Sequence, residues 1–424
     1  ECKNVIDVIV GKRLTSIDSS DVTELTFIYD NQDRLDLDGT NRLSEIRLFF
    51  DSQEVDSWTL QHDYFISETT QPSDAYYRLK LNSVTQSGYP AHEFFYDETE
   101  TLPKRNSFSQ DSWGYYNGKA NNTFLPAINY KGTFMPGADR APDFTYTKAG
   151  ILNRIKYPTG GETLLEYDPN EYWFDGIEIN SQVNSSQVLS VNGTATSSPI
   201  STQFTVGGTE DAFGTFTFSC GGSFCDPANV PPGDLMVARV VGNGVDIAYD
   251  YPYNPSPYGL STPIVLPPGT YTMTLFASVD GFSGTFRIEW IEETSTAVQE
   301  NRIGGGLRIK TLTDVPIQGS NVIKEFVYTN PSNTSRSSGF VSYQTKHFST
   351  FSSRFFEEIN PPFYVERFCD YFTRHSHNIS NVSTINGGYV GYEYVTVLDG
   401  VDGANGKSVF KYSSYKDTGE DVMT

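Results

Sequence analysis

Short runs of alternating apolar and polar residues, each closed by a turn signal, recur along most of this chain. Arg13-Leu14-Thr15-Ser16-Ile17 is answered by Leu25-Thr26-Phe27-Ile28-Tyr29-Asp30, and Arg42 to Leu48 by Trp58 to Tyr64. Tyr77 to Leu81 is answered by Glu93-Phe94-Phe95-Tyr96-Asp97. The clearest copy runs from Gly150 to Asp168 around Pro158-Thr159-Gly160-Gly161, with Leu152, Ile155 and Tyr157 leading in and Thr163, Leu165 and Tyr167 leading out. Gly306 to Leu312 with Glu325 to Tyr328, and Tyr392 to Val397 with Val409 to Tyr412, complete the set. Period-2 alternation on both sides of a turn predicts an antiparallel hairpin. A lone hairpin is marginal in water, so the units are expected to join edge to edge. Gly160 and Gly161 are both expected at positive φ, which a side chain with a Cβ resists.

The rhythm stops near Gly176 and resumes near Gly304. Between them come a stretch rich in Ser, Asn, Val and Thr and then short alternating runs. They are 203–206, 214–219, 235–241, 244–249, 264–266, 270–277 and 284–291. Strands at such regular spacing predict a β-sandwich. The expected fold class is therefore all-β: an antiparallel hairpin-repeat sheet or shell with an inserted β-sandwich. Its divisions are residues 1–175, 177–300 and 303–424. One segment breaks the pattern. Phe363 to His375 carries aromatic residues at near-helical spacing after Pro361-Pro362, and a short helix is expected there.

Composition agrees with strands, since 27 Tyr and 29 Phe stand among 36 Gly and 22 Pro. A net charge of −22 makes nucleic acid and anionic lipid poor partners. No apolar run approaches the roughly 20 residues of a membrane helix. The chain starts at Glu1, so a removed signal or a longer parent polypeptide is expected. Four cysteines are present. Cys220 and Cys225 flank a short Gly-rich loop and are a disulfide candidate suited to an oxidising compartment, while two free thiols are the other reading. Cys2 and Cys369 are too far apart in sequence to pair by argument.

The ordered set Asp111-Ser112-Trp113-Gly114-Tyr115-Tyr116-Asn117-Gly118, Asp139-Arg140, the Gly150 to Asp168 hairpin and Gly305 to Lys310 resembles the large secreted RHS or YD-repeat proteins of the Bacteroidota. Tyr389 to Val395 with Phe410-Lys411-Tyr412 resembles the segment that follows in them. The match covers most of 10–175 and 303–415 and leaves out the insert. The resemblance implies a β-ribbon spiralling into a hollow shell that encloses or presents another segment, exported in this phylum often by the type 9 route. Asp168-Pro169 lies in mid-array, so the self-cleavage of toxin-bearing relatives is not carried over.

Catalytic motifs are missing: no Gly-x-Ser-x-Gly elbow, His-Glu-x-x-His or P-loop occurs. Glu292-Glu293 and Glu357-Glu358 are adjacent on expected strands and point to opposite faces. His375-Ser376-His377 lacks a third ligand, so no metal or cofactor is expected. The loop Asp399 to Asn405 has the composition of a Ca²⁺ loop without the distal Glu, and a long hairpin turn explains it equally well. Tyr249, Tyr251, Tyr253 and Tyr258 sit among prolines and could stack on a sugar or contact a protein. The expected function is a non-catalytic secreted or cell-surface scaffold whose partner is a protein or an enclosed segment of the same polypeptide. A carbohydrate- or protein-binding module acting through the insert is the alternative, and a hydrolase is the third reading.

Overall fold

All six hairpins form, and they pair side by side into one sheet. The structure is a computed structural model describing residues 11–19, 23–67, 73–130, 133–192, 198–208, 211–221, 236–251, 260–278, 280, 283–342, 344–360, 363–380 and 388–413. Strands β1 (Ser16–Asp18), β2 (Thr23–Asp33), β3 (Asn41–Phe50), β4 (Gln53–Ile66), β5 (Tyr77–Gln86) and β6 (Ala91–Tyr96) come first. The small hairpin β7 (Ile128–Tyr130) and β8 (Thr133–Met135) and the one-turn helix α1 (Phe144–Thr147) precede β9 (Leu152–Lys156). The 31-residue β10 (Glu162–Asn192) leads into β11 (Ile200–Val206), β12 (Ala212–Gly221), β13 (Met236–Gly242), β14 (Val245–Tyr251), β15 (Leu260–Leu266) and β16 (Gly269–Ala277). The 33-residue β17 (Ser283–Val315) leads out again. After it come β18 (Val322–Val327), β19 (Thr329–Asn330), β20 (Asn333–Ser337), β21 (Gly339–Val341), β22 (Phe348–Asn360), β23 (Phe363–Arg374), β24 (Val390–Tyr392), β25 (Tyr394–Asp399) and β26 (Lys407–Lys411).

The main sheet has fourteen strands in the order β1-β2-β3-β4-β5-β6-β9-β10-β17-β18-β25-β26, with β12 beside β17 and β15 beside β12. Its pairs are antiparallel throughout. Four hairpins are locked in the same way. In each, the hydroxyl of a tyrosine on or just after the second strand donates to the carbonyl of a Leu or Ile on or just before the first. Tyr29 reaches Leu14 at 3.1 Å, Tyr96 reaches Leu81 at 2.8 Å, Tyr167 reaches Leu152 at 2.7 Å and Tyr328 reaches Ile309 at 2.7 Å. At Tyr29, Tyr96 and Tyr167 the register also shifts against the next strand, skipping Ser44, Asn153 and Lys310. A β-bulge of this kind bends a strand and strengthens its twist.

Strands β10 and β17 run past residues 176 and 304, pairing from Glu162↔Val315 to Asn192↔Ser283, with a register shift between Pro169↔Leu307 and Glu171↔Ile303 that leaves Asn170 and Gly304 to Gly306 out of the ladder. At about 3.3 Å per residue β10 is roughly 100 Å long. Between Glu171↔Ile303 and Val183↔Glu292 neither pairs with a third strand among the described residues; β20 and β21 pack on the start of this stretch, where Ser337 Oγ donates to the Glu171 carbonyl at 2.8 Å and Asn301 Nδ2 to the Ser335 carbonyl at 2.9 Å, and the rest is a two-stranded ribbon. Beyond it the same two strands join β12 and β15 in one layer, and β11-β16-β13-β14 form the facing layer. Phe204, Tyr271, Met273 and Leu275 from one layer and Phe216, Phe286, Ile288 and Trp290 from the other meet in a single dry core. A smaller cluster of Tyr172, Val341 and Val390 lies where the ribbon enters the array.

Two expectations are corrected. Phe363 to His375 is not a helix: β23 pairs with β22 from Phe348↔Arg374 to Asn360↔Phe363. Its run of aromatic and β-branched residues suits a pleated strand, and a facing strand satisfies every backbone group that a short uncapped helix would leave open. Gly160 has φ +85, but Gly161 does not take a positive φ. A Cβ at Gly161 would instead approach the Val315 carbonyl at 3.2 Å, so close passage of the next strand favours glycine there. Among the described residues no helix is long and apolar enough to cross a membrane.

Candidate functional site

Alternation along the strands gives the first half of the sheet two unlike faces. The registers place Leu25, Phe27, Ile46, Leu48, Trp58, Leu60, Tyr64, Leu79, Val84, Phe94 and Ile155 on one of them. Thr26, Arg47, Ser57, Thr59, Asp63, Lys80, Thr85, Glu93, Arg154 and Lys156 stand on the other. The polar face is laced across strands, with Lys156 2.9 Å from Glu93 and Arg154 stacked 3.7 Å above the Phe95 ring. The apolar face also carries Asp56, His62, Gln86 and His92, and Gln86 Nε2 donates to Asp56 Oδ2 across it at 2.6 Å, but apolar side chains predominate. No residue of β2 to β6 or β9 is buried on either face. A sheet with one apolar face gains its stability by covering that face with another layer. Here the layer is missing among the described residues.

A second concentration of named residues is a polar knot that holds the array together. Asp111 is fully buried, and its Oδ1 accepts the backbone N–H groups of Trp113 and Tyr115 at 2.9 Å each. Burial pushes its carboxyl up to about 6 despite those hydrogen bonds. Arg140 donates Nε and Nη2 to the Asp111 carbonyl at 3.1 and 2.6 Å. Asn117 Nδ2 donates to the carbonyls of Asp139 and Ala141, both at 3.0 Å. The loop so fixed presses Trp113 and Tyr115 onto β17 where it passes as Gly305-Gly306. A Cβ on Gly305 would come within 2.4 Å of Trp113 Cβ, and one on Gly306 within 2.9 Å of the Tyr115 hydroxyl. Asn170 Nδ2 donates to the Gly305 carbonyl at 3.0 Å, and the Tyr392 hydroxyl donates to Asn170 Oδ1 at 3.0 Å. Arg308 pairs with Glu171 at 3.3 Å and stacks over the Tyr328 ring at 4.9 Å. The motifs at 111–118, 139–140, 305–310 and 389–395, scattered over the sequence, therefore meet at one place. These contacts tie the loop, β10, β17 and β24 together, and Asp111 Oδ2, Trp113 Nε1 and Arg308 Nε are buried there without a hydrogen-bond partner among the described residues.

The other residues singled out from the sequence stay apart from both features. Cys220 lies in β12, whereas Cys225 and Cys2 fall outside the described residues, so that pairing has no geometry to judge. Cys369 lies in β23, opposite Ser353. Asp399 to Asn405 forms the β25–β26 turn: the Asn405 N–H bonds the Asp399 carbonyl at 2.8 Å, and Asp402 donates its N–H to Glu325 Oε2 at 2.9 Å. Among the described residues no three His, Cys, Asp or Glu side chains come together as a metal site. The rings of His375 and His377 lie 5.8 Å apart, and His375 Nε2 meets Ser349 Oγ at 3.0 Å. Tyr249 and Tyr251 are in β14, and Tyr253 and Tyr258 fall outside the described residues. The Leu, Ile, Phe and Tyr face was legible in the sequence, where joining the hairpins edge to edge is expected to bury it; on β2 to β6 and β9 no residue is buried, because edge-to-edge pairing covers strand edges and not faces. No family model matches this chain, and neither a curated protein nor a solved structure does.

Proposed function

We propose that the chain is a non-catalytic scaffold of the hairpin-repeat kind that its motifs resemble, secreted or held at the cell surface, exported by the type 9 route, enclosing or presenting another polypeptide segment. The observation that carries this reading is the half-exposed apolar face of the first half of the sheet. A face built from Leu, Ile, Trp and Tyr on six strands is matched to an apolar protein surface, since burial returns roughly 25 cal/mol for each Å² removed from water. The acidic surface of the whole, at net charge −22, keeps the remainder soluble and repels nucleic acid. A photo-crosslinking amino acid at Leu60, in the organism that makes the protein, tests the reading. The expected product is a crosslink to one polypeptide, in protein recovered from outside the cytoplasm. Cytoplasmic recovery without a crosslinked polypeptide, or a hydrolase activity lost on changing one carboxylate, overturns it.

A further inference from the structure

His347 stands at the base of the β22–β23 hairpin, next to the knot, and none of the contacts described so far uses it. Its carbonyl accepts the N–H of His375 at 2.7 Å, closing the hairpin, and the Lys346 carbonyl beside it accepts the N–H of Ile379 at 2.8 Å. The residue is 7% exposed, and both ring nitrogens are buried with no hydrogen-bond partner among the described residues. The ring lies near the backbone of His375 and His377, outside hydrogen-bond geometry.

The junction itself is built from cations. Arg140 Nη1 donates to the Ser376 carbonyl at 3.2 Å, and Arg374 Nη1 donates to the carbonyls of Pro126 and Pro136 at 3.3 and 2.8 Å. The titratable groups around His347 are thus Arg140, with Asp111 and Asp139 behind it, from the knot. Arg374, His375 and His377 come from the hairpin, and Lys346 from the strand entry. Only the two aspartates are negative. Neither carboxylate is paired with the guanidinium, since Arg140 bonds carbonyls instead.

We propose that this junction is a pH-operated latch: with His347 neutral the hairpin base stays docked on the Asp111–Arg140 knot, and a proton on the His347 ring sets a further buried cation beside Arg140 and releases it. Burial, then the Arg140 charge, lowers the affinity of the ring for a proton below that of an ordinary histidine, outweighing the backbone of His375 and His377, which favours the protonated ring. A group with a lowered folded-state value binds its proton more readily when released. It therefore contributes stability above its unfolded value, 6.5, and loses it as the pH falls. Asp111 acts with the opposite sign. Its raised value means that acidification neutralises it inside the folded knot, favouring the folded state between about pH 6 and 4. Loosening at pH 5 cannot come from Asp111.

Hydrogen–deuterium exchange of the whole chain at pH 7.5 and 5.0, corrected for intrinsic rates, reads the latch at the amides of His375 and Ile379. Protection is expected to fall at pH 5.0 by a factor of up to about 30, the limit set by a pH 1.5 units below the free histidine value, while amides of the sandwich hold. His347→Gln and His347→Phe should each abolish the difference, and His377→Gln and Asp111→Asn should keep it. Equal protection of the wild-type chain at both pH values overturns the proposal. So does a fall that disappears in His377→Gln, which would give the latch to the other ring.

Discussion

The Tyr167 hydroxyl, 2.7 Å from the Leu152 carbonyl, shows what one atom contributes to this fold. The carbonyl stands where the register skips, so the regular ladder does not serve it. Burial raises the proton affinity of Tyr96, Tyr167 and Tyr328, the last to about 12, which keeps each phenol a donor at any physiological pH. Removing the oxygen strands a partly buried acceptor, a loss of about 1–3 kcal/mol. Tyr167→Phe should lower the urea midpoint accordingly, whereas Tyr89→Phe, at an exposed position, should leave it unchanged. Equal midpoints for the two variants would show that the lock carries no stability. The following aspartate serves the same joint. Asp30 accepts Arg42 Nε at 2.6 Å and its backbone N–H at 3.2 Å, and these bonds hold its carboxyl below the usual range although burial opposes them.

Hairpins are the next unit, and their turns divide labour between neighbouring glycines. Gly160, at φ +85, needs the left-handed region, and a Cβ there would also meet Ile317 Cδ1 at 2.7 Å. Gly161 needs only space beside the Val315 carbonyl. Gly160→Ala should therefore cost about 1 kcal/mol or more in strain, and Gly161→Ala less, read from urea midpoints of the two variants. The reverse order would refute the turn geometry. Hairpins were legible in the sequence because alternation, turn and closing tyrosine fall within about 20 residues of one another. The lock was not read from the sequence, although Leu14 and Tyr29, Leu81 and Tyr96, and Leu152 and Tyr167 are each 15 residues apart, because Ile309 and Tyr328 are 19 apart and the spacing is not constant. Trp113 against Gly305 was not legible either, because two loops that meet across the fold leave no periodic trace. The strand at 363–374 was misread since Tyr364, Phe368, Tyr371 and Phe372 mimic a helical stripe, and only the register with β22 decides between the periods.

At the scale of the whole molecule, the half-covered sheet and the ribbon predict an extended particle. A compact chain of this length has a radius of gyration of about 22 Å. X-ray scattering should give ~30 Å or more, given a strand roughly 100 Å long. A value near the compact figure would mean that the sheet folds back on itself and that its apolar face is already covered. The shared strands also decide what the ribosome exposes. β10 finds its long partner only in β17, and β9 covers just Glu162 to Leu164, so a chain synthesised from its N-terminus must hold most of a 31-residue strand unpaired on both edges until residues beyond Ser283 emerge. Throughout that interval the first half of the array presents a long open edge, the hazard that makes nascent β-proteins prone to stick to one another. The sandwich, positioned between the two strands, is thus also a delay: its six strands are made before the array can be closed.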